Sequence, residues 1–211
     1  MKMKVEIWSD VVCPWCYIGK RRFERALEDF DDEVAVVWRS FQLDPGEPQK
    51  QTTRLDEALA AKYRMTLEQA REMMNQMTRA ASGEGLAFDF SRAQRGNTLD
   101  AHRLLHFAAE RGVQPEMKER LLRAYFTEGR PISDPRELAG LAGEVGLDPD
   151  EASGMLAGDA FTDAVRRDAL RARELGIQGV PFFLLDGRIG ISGAQPPDLI
   201  RQGLDSARER S

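Results

Sequence analysis

The sequence predicts an α/β protein whose elements run β-α-β, a long helical block, then β-β-α. Three observations give this order. The first forty residues alternate between strand-like and helix-like apolar patterns; more than a hundred residues after Thr53 carry helical periodicity; the segment after Gly176 returns to strand character before a last helix. A chain of 211 residues has room for one sizeable core, or for a domain carrying a large insertion.

Val5 to Trp8 is a short, bounded, half-apolar segment and reads as a strand. After Cys16 the period changes to that of a helix, with Phe23, Ala26, Leu27 and Phe30 on one face. Val34 to Phe41 is β-branched and nearly continuous in apolar character, as for a strand covered on both faces, which makes a β-α-β unit with a right-handed crossover. Asp44 to Thr53 holds Pro45, Gly46 and Pro48 and leads out of the sheet. Three helical stripes follow: Leu67, Ala70, Met74, Met77 and Ala81; Leu138, Leu141, Ala142 and Val145; Phe161, Val165, Ala172 and Leu175. Thr66 with Gln69, Asp134 with Glu137 and Asp148 with Glu151 have capping-box spacing, and Pro135 and Pro149 stand at first helical positions. Gly176 ends the last helix of the block. Pro181 to Leu185 is a strand, Asp186-Gly187 a two-residue turn requiring positive φ, and Arg188 to Ser192 its antiparallel partner. Pro197 to Arg208 closes the chain as an amphipathic helix on Leu199, Ile200, Gly203 and Leu204.

Composition bounds the function. With 42% hydrophobic and 31% charged residues the chain is an ordinary globular one, and its net charge of -5 disfavours a large phosphate-binding surface, so no nucleic-acid partner is expected. Its longest apolar runs fall far short of the roughly 20 residues that cross a bilayer. The N-terminus lacks the apolar run of a secretory signal, which points to a cytoplasmic address. In that reducing compartment two cysteines are poor material for a structural staple.

Those cysteines, in Cys13-Pro14-Trp15-Cys16, fall where the first strand gives way to the first helix. Cys13 is placed at the N-cap and Pro14 at the first helical position, where free backbone N–H groups and the helix dipole favour an anion. A moderately depressed Cys13 pKa is therefore expected, with Cys16 one turn on as the more buried resolving thiol. The competing chemistry is zinc. It needs four ligands, and the remaining soft candidates, His102 and His106, share a helix face but match no compact finger with Cys13 and Cys16, so no metal site is assigned. Asp10 has two readings, a turn or cap residue and a proton shuttle for Cys16. Met65 and Met73 are candidates for an adaptable apolar groove, Met74 and Met77 for the core. Trp15 offers a substrate contact, and Lys20-Arg21-Arg22 and Arg166-Arg167 read as solvated helix faces. Gly179-Val180-Pro181-Phe182 puts a proline at the head of an apolar strand; its isomer is not legible in the sequence.

Four separated motifs carry a resemblance: Trp8 through Lys20, Asn97-Thr98 with Ala101-His102-Arg103-Leu104, Gly179 through Phe182, and Ser192-Gly193-Ala194-Gln195-Pro196. Together they resemble the FrnE-type branch of the DsbA-like thioredoxin-fold oxidoreductases. The resemblance implies a thioredoxin-like fold with an inserted all-helical domain, residues 1–50 and 177–211 forming the thioredoxin-like part and 51–176 the insert. It implies that Pro181 is cis and faces a redox-active disulfide formed by Cys13 and Cys16. It also implies that the Val180 backbone pairs with an extended substrate, with Pro14, Trp15, Asn97 and His102 further candidates for substrate binding. Cys13, Cys16 and Pro181 are the catalytic assignments. No bound cofactor is implied. Some longer members of the branch carry a second cysteine pair near the C-terminus; none follows Gln195 here, so a partner thiol or glutathione is expected to recycle the site.

The function expected is thiol-disulfide exchange with protein thiols and disulfides or with glutathione. Related branches, the kappa-class glutathione transferases and 2-hydroxychromene-2-carboxylate isomerases, generally have serine at the position of Cys13, and they supply one alternative. A redox-switched binding protein or holdase supplies another.

Overall fold

Four strands hydrogen-bond in the order β2-β1-β3-β4 in a computed structural model that describes residues 3–28 and 30–209. β1 (Met3–Ser9) runs parallel to β2 (Val34–Ser40), with Ile7 opposite Trp38, and antiparallel to β3 (Phe182–Leu185). β4 (Ile189–Ser192) closes the far edge against β3. Helix α1 (Pro14–Leu27) joins β1 to β2, and α9 (Pro197–Glu209) packs beside it. Between β2 and β3 the chain forms α2 (Leu55–Tyr63), α3 (Leu67–Ser82), α4 (Leu99–Glu110), α5 (Gln114–Arg123), α6 (Pro135–Glu144), α7 (Pro149–Ala157) and α8 (Thr162–Glu174). A π-helical turn, Ala124–Glu128, extends α5.

The α/β class and the inserted helices stand as the sequence predicts, with local corrections. β2 is an edge strand, and Val34 to Val37 are only half-buried; its apolar run reflects burial at the C-terminal end, where Trp38 and Ser40 lie under the insert. Of the three capping boxes, Thr66 and Gln69 form a complete one. Asp134 and Asp148 cap their helices, but Glu137 and Glu151 turn to Arg130 and Arg111 instead of back to the cap. At the β3–β4 turn Asp186 and Gly187 both take positive φ, and Arg188 adds a third residue, so that Leu185 opposes Ile189. Leu175 and Leu199, assigned to apolar faces, are exposed.

Among the described residues three apolar clusters result, the smallest made by Trp8, Ala172, Ile177 and Leu184. Val5, Ile7, Phe23, Phe183, Leu185, Ile200 and Leu204 fill the space between the sheet, α1 and α9. Gly203 lets α9 approach the sheet closely, since a Cβ there would lie 2.7 Å from Ile191 Cδ1 and that side chain would have to shift. The second core belongs to the insert, yet Val11, Tyr17 and Ile18 are part of it, so the start of α1 is packed among the inserted helices.

Polar side chains of the insert cover the exposed edge of β2. The Gln114 amide acts as a short strand: its Oε1 accepts from the Trp38 N–H at 3.0 Å and its Nε2 donates to the Trp38 carbonyl at 3.1 Å. Asp168 of α8 accepts from the Ser40 N–H at 2.9 Å and from Arg39 at 3.0 Å. An open strand edge leaves such groups unpaired, and a buried orphan costs about 1–3 kcal/mol. Gln114→Leu should therefore lower stability by about 1–3 kcal/mol, read as a reduced midpoint in urea unfolding at constant slope.

Candidate active site

Cys13 has extended backbone angles (φ -90, ψ 113) and is the N-cap of α1, with Pro14 at the first helical position and no side chain capping the end. The fixed φ of proline and its missing N–H suit that position, so the sequence itself brings the thiol to the helix N-terminus. Its neighbour is drawn in by the turn, the Cys16 N–H donating to the Cys13 carbonyl at 3.0 Å. Cys13 is 4% exposed and Cys16 1%. Across from them the Val180–Pro181 peptide bond is cis, and the Val180 carbonyl oxygen lies 3.6 Å from Cys13 Sγ.

Gly19, one turn beyond Cys16, explains the close approach of this loop. A Cβ there would sit 2.8 Å from Pro181 Cγ and 3.4 Å from Ala194 Cβ. Gly19→Ala must displace Pro181; a loss of about 1–3 kcal/mol of stability is expected from urea unfolding.

A cavity of about 630 Å³ opens beside Cys13. Cys13, Pro14, Trp15 and Val180 line it together with Leu43, Leu59, Tyr63, Met73, Met77 and Tyr125; Cys16 and Pro181 are not among its walls. Trp15 is 43% exposed. Met73 therefore meets the groove expectation; Met77, assigned to the core, is buried and also reaches the cavity wall, while Met65 is not part of it.

The structure brings Cys13, Cys16, Pro14, Trp15, Val180 and Pro181 together and leaves the other two candidates outside. Asn97 is a tie between loops: its Nδ2 donates to the Pro45 and Glu47 carbonyls, and its Oδ1 accepts from the Leu99 N–H and from Gln42. His102 is fully buried, its Nε2 3.1 Å from Asp10 Oδ1. His106 lies 3.1 Å from both Ser40 Oγ and Asp168 Oδ2, so the two histidines serve different carboxylates.

Asp10 takes the turn role and more. Oδ1 accepts from the Val11 N–H at 2.7 Å and from His102, and Oδ2 accepts from the Leu43 N–H at 2.8 Å. Burial raises its pKa, but His102, the Leu43 N–H and the Lys118 charge outweigh that and hold the carboxyl below the usual range. Burial lowers His102 more than Asp10 raises it, which leaves a neutral ring donating through Nε2, with Nδ1 unpartnered.

The thiols depart from the expectation. Interaction with the neighbouring Cys16 sulfur, together with burial, pushes the Cys13 thiol up, instead of the helix terminus bringing it down. Burial also raises Cys16, but the neighbouring Cys13 thiol, the Lys118 ammonium, the Ser9 hydroxyl and the Asp10 backbone more than offset it and bring Cys16 down. The ionisation of each sulfur is thus coupled to that of the other. The residue that the sequence does not announce is Lys118 of α5, fully buried, with its Nζ unpartnered and burial pushing its pKa down to about 8.

Lys20, Arg21 and Arg22 are likewise not a solvated face. Lys20 is buried and pairs with Glu119 at 2.6 Å, Arg21 pairs with Glu119, and Arg22 with Glu84 at 2.7 Å, which fastens α1 to the insert. Arg166 is exposed beside Asp163, as expected.

The model of the DSBA-like thioredoxin domain matches residues 4–205. The chain belongs to that family. A crystal structure described as a "probable DsbA oxidoreductase" of Streptomyces coelicolor superposes with a TM-score of 0.95 at 44% identity, covering 99% of this chain and 91% of the other. YwbO of Bacillus subtilis is 28% identical over 213 residues, the full length of both chains. The cytosolic disulfide reductase DsbM of Pseudomonas aeruginosa, solved with GSH, shares the fold at a TM-score of 0.67 and 22% identity, covering 99% of this chain and all of its own. Among the described residues no helix is long and apolar enough to cross a membrane.

Depressed carboxyls make stability depend on acid. Asp10, Asp168 and Glu119, the last brought down to about 2, have folded pKa values below their unfolded ones. Their contribution is whole above the ordinary carboxylate range and is lost as pH falls through the folded values. The stability gap between the wild type and Asp10→Asn should therefore be widest near about pH 6 and narrow below about pH 4, measured by urea unfolding across pH.

Proposed function

We propose that the protein is a thiol-disulfide oxidoreductase that acts on protein or small-thiol substrates, with Cys13 as nucleophile and Cys16 as resolving thiol. The observation that carries this is one of access: Cys13 lines the cavity and Cys16 does not. Membership of the DSBA-like family and the oxidoreductase neighbours support disulfide exchange in general.

The reaction begins when Cys13, the sulfur that lines the cavity, releases its proton to water. The Cys13 thiolate then attacks one sulfur of a substrate disulfide, the S–S bond breaks, and the departing thiolate takes a proton from water. Cys16 attacks Cys13 Sγ in turn, forming the Cys13–Cys16 disulfide and expelling the second substrate thiol. Two electrons have passed to the substrate, and the reverse sequence oxidises a dithiol. The apolar walls from Leu43, Leu59, Tyr63 and Met73 suit side chains that flank a cystine in an extended segment, whose backbone pairs with Val180. Glutathione is the proposed recycling thiol, in keeping with the GSH held by DsbM, and the cytosolic address of that protein supports a cytoplasmic one here. No cofactor enters these steps.

Insulin reduction and the refolding of a scrambled disulfide substrate test the reading. Cys13→Ser should fall to the uncatalysed background in both. Cys16→Ser should keep the first step and accumulate a mixed disulfide on Cys13, and mass spectrometry of the trapped species identifies the substrate. Turnover by Cys13→Ser comparable to wild type would refute the assignment; trapping of glutathione without any protein would restrict the substrates to small thiols.

A further inference from the structure

Lys118 is a buried charge that the exchange steps above leave unused. It stands four residues after Gln114, on the same face of α5, so the amide clamp on Trp38 fixes where the lysine enters the interior. Nζ has no hydrogen-bond partner and lies 5.4 Å from the centroid of the Trp38 ring. An ammonium left unpaired in a protein interior is costly, and a packed apolar side chain of similar volume would avoid the cost. Glu119, the next residue of α5, binds Tyr17, Lys20 and Arg21 of α1, so Lys118 enters beside the helix that carries the thiols; the charges that act on it most are those of Cys16, Asp10, Cys13 and Lys20, and it acts in turn on His102 of α4. The acidic ones are one carboxylate, already supplied with donors by Val11, Leu43 and His102, and the two thiols.

We propose that Lys118 is the counter-charge for the resolving sulfur, holding Cys16 as a thiolate while it attacks the mixed disulfide on Cys13. This rests on the exchange chemistry proposed above. In the dithiol the neighbouring Cys13 thiol also supports Cys16, but once Cys13 Sγ is bonded to substrate that support is gone. The full charge of Lys118 is then the main support left, alongside the Ser9 hydroxyl and the Asp10 backbone. The step balances without another reactant. Cys16 loses its proton and its thiolate bonds to Cys13 Sγ; the bond between Cys13 and the substrate sulfur breaks, and the departing thiolate takes up the proton. Lys118 is an ammonium before and after.

The test compares wild type with Lys118→Met, using glutathione disulfide as the probe. Rapid quench and mass spectrometry follow formation and decay of the Cys13–glutathione mixed disulfide across pH. The expected result is that decay, relative to formation, slows tenfold or more at neutral pH, and that the pH midpoint of decay rises by about one unit, the equivalent of that tenfold change. The thermal unfolding midpoint should not fall, because an unpaired buried charge has been removed. Unchanged decay and midpoint would overturn the proposal, as would a lowered unfolding midpoint with both steps slowed alike. Lys118→Gln, uncharged and polar, repeats the comparison if the methionine variant does not fold; failure of both to fold makes the lysine structural and overturns it too. A wild-type protein in which Cys13 never captures glutathione, insulin or a scrambled substrate removes the exchange reading itself, a result distinct from normal capture with unaltered decay.

Discussion

The Asp10 carboxylate is the joint on which the molecule turns. Its two oxygens collect the N–H of Val11 from the loop that carries the thiols, the N–H of Leu43 from the chain leaving β2, and His102 from the insert. Three segments distant in sequence are thereby held at one buried point, next to Cys16. A buried carboxylate is tolerable only with such donors, because desolvation alone would neutralise it. Every other arrangement at the site, from the attitude of α1 to the entry of α5, presupposes this meeting of sheet and insert.

Two sources of positive potential then act on two sulfurs. The N-terminus of α1 acts on Cys13 through partial charges at the helix end. Lys118 acts on Cys16 with a whole charge in a place where solvent does not screen it. At Cys13 the neighbouring sulfur and burial outweigh the helix end, which is why the thiol at the cap is pushed up and not down. Division of labour follows from access, since the sulfur facing the cavity is the one that can meet a substrate, and its neighbour is the one prepared to release it.

What the sequence disclosed was local. The strand-to-helix junction, proline at the first helical position, the Thr66 box and the glycine ending α8 are set by residues within a turn of one another, and each stands in the structure. Pairings across the insert left no such trace. Lys20, Arg21 and Arg22 look like any solvated basic run until Glu84 and Glu119 are brought against them. Lys118 lies in Glu116-Met117-Lys118-Glu119-Arg120, a stretch whose composition reads as helix surface. The signal that was available was positional: Gln114, Met117, Lys118 and Leu121 recur at helical spacing on the buried side of α5, so a lysine on an apolar stripe was the anomaly to question. Asn97 and His102 show the converse, polar residues near the site in space whose donors and acceptors are committed to backbone and to Asp10.

The insert does more than enlarge the fold. A four-stranded sheet with β2 at its edge would expose the N–H groups of Trp38 and Ser40 and leave Cys13 open to water on one side. Side chains of α5 and α8 satisfy that edge, while α2 and α3 raise an apolar wall opposite the thiol. Both consequences strengthen electrostatics at the sulfurs, since excluding water lowers the local dielectric in which Lys118 and the helix terminus act. The helices that close the sheet and the helix that charges the site are the same elements, so a change that loosens the edge clamp at Gln114 must also shift the lysine one turn away. Stability at that edge and the ionisation of Cys16 are coupled through α5.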